Sequence, residues 1–259
     1  IPLEAIAGKL DCQVRGFEMR DLSLLMENQE KGGYRVIRWE YGDGGAPMIF
    51  INWDIKDPKL RPIFRNQDFR IALSIAINRN RINQIVYQGL GKIQNATMSK
   101  YLMHYNHPEG KKVHEEWAKA YSEYNPAKAK ELLDRIGLKD VNNDGFRELP
   151  DGTPFKLLFD VGVTALESID ACNLIAEDWK AIGVNAAVNA ISSELWGARG
   201  RSGEFHFQVF GYGSEVDLLT FPDNVFPVGN TRFHPLTGLW QQTGGKEGEE
   251  PTGIMKELL

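Results

Sequence analysis

The sequence predicts an α/β fold in which helices flank a mixed sheet. Two observations carry this prediction. Short apolar or alternating runs, which are typical of strands, recur along the 259 residues, and segments with helical apolar spacing lie between them. Residues that cap or end helices bound several of these helical segments. Such interleaving favours a sheet covered by helices over an all-helical or an all-β domain.

Several segments are predicted to be strands. Met48–Trp53 is an apolar run, which indicates a strand buried on both faces. Tyr34–Trp39 alternates between polar and apolar residues, as a half-buried strand does. Three further strands are predicted at Phe155–Val161, Val184–Ala190 and Phe205–Phe210.

Helix signals lie between these strands. Asn66 and Asn78 are each predicted to cap a helix, because their side chains can accept a hydrogen bond from the first free amides. Asn125 and Pro126 together are a typical helix start. One more helix carries apolar residues at helical spacing, namely Ile169, Cys172, Ile175, Ala176 and Trp179.

Composition excludes several classes of function. Hydrophobic residues make up 42% and charged residues 25%, as in ordinary globular proteins. The formal net charge is −5 and Lys and Arg form no basic stripe, so neither nucleic acid nor an anionic membrane surface is an expected partner. No apolar run approaches the roughly 20 residues that span a bilayer, so no transmembrane segment is predicted. Whether Cys12 and Cys172 are bonded stays open at this point.

The two ends of the chain carry a separate expectation. The chain begins without Met or a signal peptide, and residues 255–259 end inside a predicted helix. We therefore expect the chain to be a fragment of a longer protein.

The residue patterns of common catalytic sites do not occur. The sequence has no G-x-S-x-G, no P-loop, no dinucleotide-binding fingerprint and no H-E-x-x-H. His104 and His107 lie in residues 94–112, a polar stretch predicted to be a loop, so no helix would hold both imidazoles on one face. The sequence therefore predicts neither an enzyme nor a histidine metal site.

The most specific local motif lies in residues 140–151. It follows the D-x-N-x-D-G spacing of a calcium loop, in which alternate side chains turn inward and Gly145 permits a sharp bend. The same residue types also build tight polar turns, and an Asp rather than a Glu at the last position favours the turn. The side chains that calcium would use are Asp140, Asn142, Asp144, Glu148 and Asp151. No cofactor is otherwise expected.

Several segments, taken in order, resemble one family. Phe69–Arg79 and Ile82–Gly91 are similar to the most recognisable stretch of the family 5 solute-binding proteins, the peptide, dipeptide and nickel class of ABC importers. Tyr124–Leu133, Trp179–Gly183 and Gly203–Gly211 resemble three further hallmarks of that family. Together the matches extend over roughly residues 48–225.

The resemblance implies a periplasmic-binding-protein-like architecture of two α/β lobes around a ligand cleft. Residues 1–47 would be the tail of the first lobe with the approach to the hinge, and residues 48–259 most of the second lobe. The implied function is the substrate-binding component of an ABC importer, located in the periplasm or otherwise outside the cytoplasm. Its partners would be a small peptide or an oligosaccharide and the membrane permease.

The expected ligand site combines one acidic residue with aromatic rings. In peptide-binding members, an Asp after a Gly-Trp strand end pairs with the amino terminus of the ligand, and Glu215 aligns with that Asp. This chain has Tyr for the Trp, Glu for the Asp and Leu218 in place of a usual Pro. Some members bind oligosaccharides instead, with rings as platforms. The expected aromatic contacts are Tyr212, Trp196, Phe210 and Trp240, the last in a loop-rich tail.

The alternative from another class is a carbohydrate-active hydrolase that uses paired carboxylates. Glu194 and Glu215 are the two candidates for that pair. Retaining glycosidases hold two such groups ~5 Å apart, and no sequence pattern brings these two together.

Overall fold

The computed structural model describes residues 1–14, 16–39, 45–212, 226–229, 231 and 233–257. Within these residues the strands are β1 (Gly45–Ile51), β2 (Leu157–Gly162), β3 (Ala186–Ile191) and β4 (Phe207–Tyr212). The α-helices are α1 (Pro2–Ile6), α2 (Leu22–Glu27), α3 (Gln29–Gly32), α4 (Leu60–Arg65), α5 (Gln67–Ile75), α6 (Arg79–Val86), α7 (Pro108–Lys119), α8 (Pro126–Arg135), α9 (Leu166–Lys180), α10 (Ser193–Ser202), α11 (Pro235–Gln242) and α12 (Ile254–Glu257). Two 3-10 helices lie at Met19–Asp21 and Met103–Tyr105.

The four strands form one mixed sheet in the order β1-β4-β2-β3. β2 runs parallel to both β3 and β4, whereas β1 pairs with β4 in antiparallel orientation. Helices lie between consecutive strands, and α9 packs on the sheet. The prediction of an α/β fold with a mixed sheet is therefore confirmed.

One face of the sheet carries the hydrophobic core. Phe159 of β2 and Phe207 of β4 lie side by side and are fully buried. The ring of Trp179 from α9 lies 5.0 Å from Phe159, and the ring of Phe64 from α4 lies 5.4 Å from Phe207. The indole of Trp179 also donates to the carbonyl of Leu73, 3.0 Å away, which links α9 to α5. Aromatic packing thus fixes the sheet against its helices.

Helix starts follow the predicted caps at two positions. The side chain of Asn66 accepts from the amide of Asp68 at 2.8 Å, and that of Asn125 accepts from the amide of Lys128 at 3.0 Å. Pro126 occupies the first turn of α8, as predicted.

Two predictions of local structure were wrong. Residues 94–112 are not all loop, because α7 begins at Pro108, where the His107 side chain accepts from the amide of Gly110. Tyr34–Trp39 forms no strand among the described residues, although its polarity alternates. Ile37 is 55% exposed and Trp39 is 77% exposed, so the alternation there does not correspond to a buried face.

The chain divides into two compact units. The first contains residues 1–41 and 79–93, and the second contains residues 42–78 and 94–259. Within the first unit, the Tyr34 hydroxyl donates to the carbonyl of Leu25 at 2.7 Å. The second unit contains the whole sheet. The division into lobes at residues 47 and 48 stays a prediction.

Among the described residues, none of the helices is long and apolar enough to cross a membrane. Both cysteines are free, Cys12 exposed and Cys172 buried on α9. Burial raises the pKa of the Cys172 thiol to about 12, so this group is a buried apolar residue in practice.

Candidate functional site

Three parallel strands end at the same edge of the sheet. Gly162, Ile191 and Tyr212 are the last residues of β2, β3 and β4, and ligands of α/β sheets bind beyond such carboxyl ends. Helix α10 starts directly after β3, with the Ser192 hydroxyl accepting from the amide of Leu195 at 3.3 Å. The connection therefore places the first turns of α10 at the edge where a ligand would bind.

Two of the predicted aromatic residues meet at this edge. The rings of Trp196 on α10 and Phe210 on β4 lie 5.6 Å apart, tilted by 34°. Phe210 is 48% exposed, although the three residues before it on β4 are buried. The indole N–H of Trp196 donates to the carbonyl of Asp160 at 3.2 Å, so its ring is held in place by the sheet. The pair is suited to stacking on a ligand rather than donating to one.

A buried polar network lies beneath Trp196. Asp160 of β2 is fully buried, and one carboxylate oxygen accepts from the side chain of Asn189 at 2.7 Å. The other oxygen accepts from the guanidinium Nε of Arg199 on α10, 2.5 Å away. The side chain of Gln208 donates to the carbonyl of Trp196 at 2.8 Å. Sequence reasoning missed this network, although an Asp inside the apolar run of β2 was a signal for a buried polar contact.

Gly200 lies where α10 approaches the side chain of Gln208. A Cβ at Gly200 would lie 2.8 Å from the side-chain oxygen of Gln208, so the end of that side chain would have to shift to make room for it.

The side chains of two further predicted ligand residues are not described, and a third lies on another helix. Glu215 lies outside the described residues, and Tyr212 ends β4, with its side chain outside the description. Trp240 lies in α11 rather than in a loop, which corrects the expectation of a loop-rich tail. Pro235 in the first turn of α11 pre-organises a helix start, and the glycines after Thr243 follow its end. The aromatic site therefore consists of Trp196 and Phe210 among the described side chains.

The general-acid role of a hydrolase pair finds no support at Glu194. This residue is exposed, and hydrogen bonds from its own amide and from the Ser192 hydroxyl lower its pKa. A general acid for glycoside cleavage needs the opposite shift, a pKa raised toward neutrality. Its proposed partner Glu215 lies outside the described residues.

The 140–151 loop brings most of its predicted ligands together. Asp140, Asp144 and Glu148 each offer a carboxylate oxygen, and these oxygens all lie within 4.8 Å of one another. The side-chain nitrogen of Asn142 donates to Glu148 at 2.8 Å and to Asp144 at 3.2 Å. Asp151 points elsewhere and pairs with the ammonium of Lys59 at 2.8 Å, which lowers the pKa of Asp151 to about 2.

Much of the acceptor capacity in this loop is already used. The two oxygens of Asp140 accept from the amides of Asn143 and Gly145 at 2.7 and 3.0 Å. One oxygen of Glu148 accepts from the amide of Val141 at 2.8 Å. These are the contacts of a tight turn, and the use of the loop for calcium stays a proposal.

The comparisons with known proteins agree with the resemblance. Residues 11–229 match the model of the bacterial extracellular solute-binding proteins, family 5 Middle. The oligopeptide-binding protein AppA of Bacillus subtilis (strain 168) is 27% identical over 190 residues, which are 70% of this chain and 31% of AppA.

Solved structures show the same relationship. An oligopeptide-binding protein OppA is 32% identical and superimposes with a TM-score of 0.75, covering 99% of this chain and 42% of OppA. The periplasmic binding protein MelB of Agrobacterium fabrum, in complex with stachyose, has a TM-score of 0.75 at 19% identity, over 99% of this chain and 38% of MelB, which shows a shared fold. The chain thus spans less than half the length of these relatives. Because the family model covers most of its residues, the chain belongs to the bacterial extracellular solute-binding proteins of family 5.

Proposed function

We propose that the protein captures an oligopeptide or an oligosaccharide outside the cytoplasm and delivers it to the membrane permease of an ABC importer. Family membership supports the class of function, since the family's proteins are extracellular solute-binding proteins. AppA and OppA are named for oligopeptide binding, whereas MelB was solved with stachyose. Oligopeptides and oligosaccharides are therefore both candidate ligands. Capture and release need no catalysis and no cofactor.

The observation that carries the proposal is the aromatic pair of Trp196 and Phe210. It lies where three parallel strands end, and half of the Phe210 surface is open to solvent. Such rings can stack on the apolar face of a sugar or on the side chains of a peptide. In the proposed cycle, closure of two lobes by a hinge would enclose the ligand.

Calorimetric titration tests the proposal with three probes: a pool of nonapeptides, mannohexaose and stachyose, the kinds of ligand present in solved structures of similar binding proteins. We expect one of the probes to bind, and we expect Trp196→Ala and Phe210→Ala each to weaken that binding by about two- to tenfold, the usual contribution of an aromatic contact. Tyr124→Ala is the matched control, because Tyr124 and Phe210 are both 48% exposed and Tyr124 lies on another segment.

Two outcomes would contradict the proposal. Unchanged affinity in both ring variants would remove the site from this edge of the sheet. Appearance of cleaved products during prolonged incubation with mannohexaose or stachyose would instead favour the hydrolase alternative.

A further inference from the structure

We propose that the ion pair between Asp160 and Arg199 is a positioning device that sets the place of Trp196, and through it the affinity for ligand. The inference rests on the proposed function, in which Trp196 contacts the ligand. It assigns a role in binding to two residues that need not touch the ligand themselves.

The first step is that little buried apolar surface holds α10 in place. None of its residues is buried, and Leu195, its large aliphatic residue, is 48% exposed. Gly197 and Gly200 lower its intrinsic helix propensity. Apolar packing, which fixes most helices in globular proteins, is therefore weak here. The place of α10 depends on its polar contacts with the sheet.

The second step is that, besides the bond from Gln208, two of these contacts converge on one residue of a rigid strand. β2 lies between β4 and β3 and pairs with both, so the backbone of Asp160 is fixed from two sides. Its carboxylate holds Arg199 and its carbonyl holds the indole of Trp196. Trp196 and Arg199 are three residues apart on α10 and so share one helical face. Asp160 of β2 thus accepts hydrogen bonds from two residues of α10.

The third step is that the ion pair, unlike an apolar contact, fixes the direction in which the two groups meet. A bond between a guanidinium and a carboxylate has a defined direction, whereas an apolar contact allows sliding. Asn189 holds the second oxygen of Asp160 at 2.7 Å and fixes the plane of the carboxylate. Because the carboxylate is fully buried, the bond is screened little by solvent. The ion pair therefore sets the register of α10 on the sheet, and with it the angle of the Trp196 ring.

A double-mutant cycle tests the inference, with the tightest binder among the nonapeptide pool, mannohexaose and stachyose as the probe. We expect Arg199→Gln to weaken binding by about tenfold, which corresponds to roughly 1.4 kcal/mol. We expect the same substitution to have no further effect in a protein that already carries Trp196→Ala, because Arg199 acts through that ring. In protein labelled with 5-fluorotryptophan, the ¹⁹F signal that is lost in Trp196→Phe should shift or broaden in Arg199→Gln.

The matched control is Arg65→Gln. Arg65 pairs with Asp54 at 3.2 Å, and the exposures of the two pairs are similar, 35% and 1% against 30% and 0% for Arg199 and Asp160. Arg65 lies on α4, so its loss should lower the melting temperature while affinity stays within about twofold. If Arg199→Gln fails to fold, the double variant Asp160→Asn with Arg199→Gln removes both charges, leaves none unpaired and enters the same cycle.

The outcomes separate this inference from the proposed function. If Trp196→Ala binds as tightly as the unmodified protein, the proposed site itself is wrong. If Trp196→Ala weakens binding but loss of the ion pair does not, or does so equally in the Trp196→Ala background, the positioning role is overturned.

Discussion

His206, the residue before β4, has its ring held in the neutral form by the fold. Its Nδ1 accepts a hydrogen bond from the amide of Leu158 at 3.3 Å, which a protonated nitrogen could not do. Burial lowers the pKa of His206 below its ordinary value of 6.5, and the charge of Arg199 adds to this, while Asp160 and Asp57 oppose it. Protonation of this ring should therefore destabilise the folded state.

A pH dependence of stability follows, with a definite sign. The unfolded chain binds the proton at the higher pH, so the contribution of His206 is full above pH ~6.5 and is lost as the pH falls through the lower folded pKa. His206→Asn keeps an acceptor near the position of Nδ1 but does not titrate. We expect urea unfolding at pH ~7.5 and ~5 to show a smaller loss of stability in His206→Asn than in the unmodified protein. Equal losses in the two proteins would show that His206 is not protonated on unfolding.

Phe207 and Phe210 lie on one strand, and their truncation should lower stability to very different extents. Phe207 is fully buried between Phe64, Phe159 and Trp179, so Phe207→Ala should lower the free energy of unfolding by about 3–5 kcal/mol. Phe210 is 48% exposed, so Phe210→Ala should cost less than ~1 kcal/mol. Chemical denaturation measures both values. A larger loss for Phe210→Ala would mean that its ring is part of the core rather than of a binding surface.

At the scale of helices and strands, the sequence predicts what is decided locally. The caps at Asn66 and Asn125 form as expected, because each is a contact between neighbours in the chain. Helix α10 was missed as an element, since a helix with no buried residue has no apolar periodicity to detect. Tyr34–Trp39 shows the reverse case, a strand-like pattern without a buried face.

The same distinction between local features and long-range contacts applies to the candidate site. Trp196 and Phe210 were predicted because an aromatic residue near a strand end is visible in the sequence. The bond between Asp160 and Arg199 joins residues that are 39 positions apart in the sequence, and no local sequence pattern predicts it. Prediction from sequence therefore named two rings that lie together in the structure but not the polar network beneath them, and their role in binding stays a proposal.

The 140–151 loop is the element whose predicted role is most easily tested. We expect calcium on the order of 1 mM to leave the melting temperature of metal-free protein unchanged, because a calcium site needs six or more oxygens. Here Asp140 is engaged by backbone amides, and Asp151 is paired with Lys59. A rise in melting temperature that disappears in Asp144→Asn would instead establish a calcium site in the loop.

At the scale of the whole molecule, the chain spans 31% of AppA and 42% of OppA. A cleft between two lobes is therefore a proposal about the whole protein. The described part of the chain nevertheless has two surface features that bear on association between copies of the chain. β1 lies at one edge of the sheet and pairs only with β4 among the described strands, so its other side has no strand partner there. Ile37 and Trp39 add exposed apolar side chains close by in the sequence.

We expect these surfaces to cause reversible self-association of the chain. Burial of a side chain as large as Trp39, which is 77% exposed, contributes about 1.5–3 kcal/mol, and the side of β1 that pairs with no described strand offers backbone hydrogen bonds to a second copy. Sedimentation equilibrium should therefore give an average mass that rises above 29.2 kDa with concentration. Ile37→Lys combined with Trp39→Ser should suppress the rise, because it replaces two exposed apolar side chains with a charged and a polar one. Val113→Lys serves as the control, since Val113 is 56% exposed on α7, and it should leave association as it is. A mass that stays at the monomer value in the unmodified chain would show that neither the strand edge nor the two exposed residues recruit a second copy.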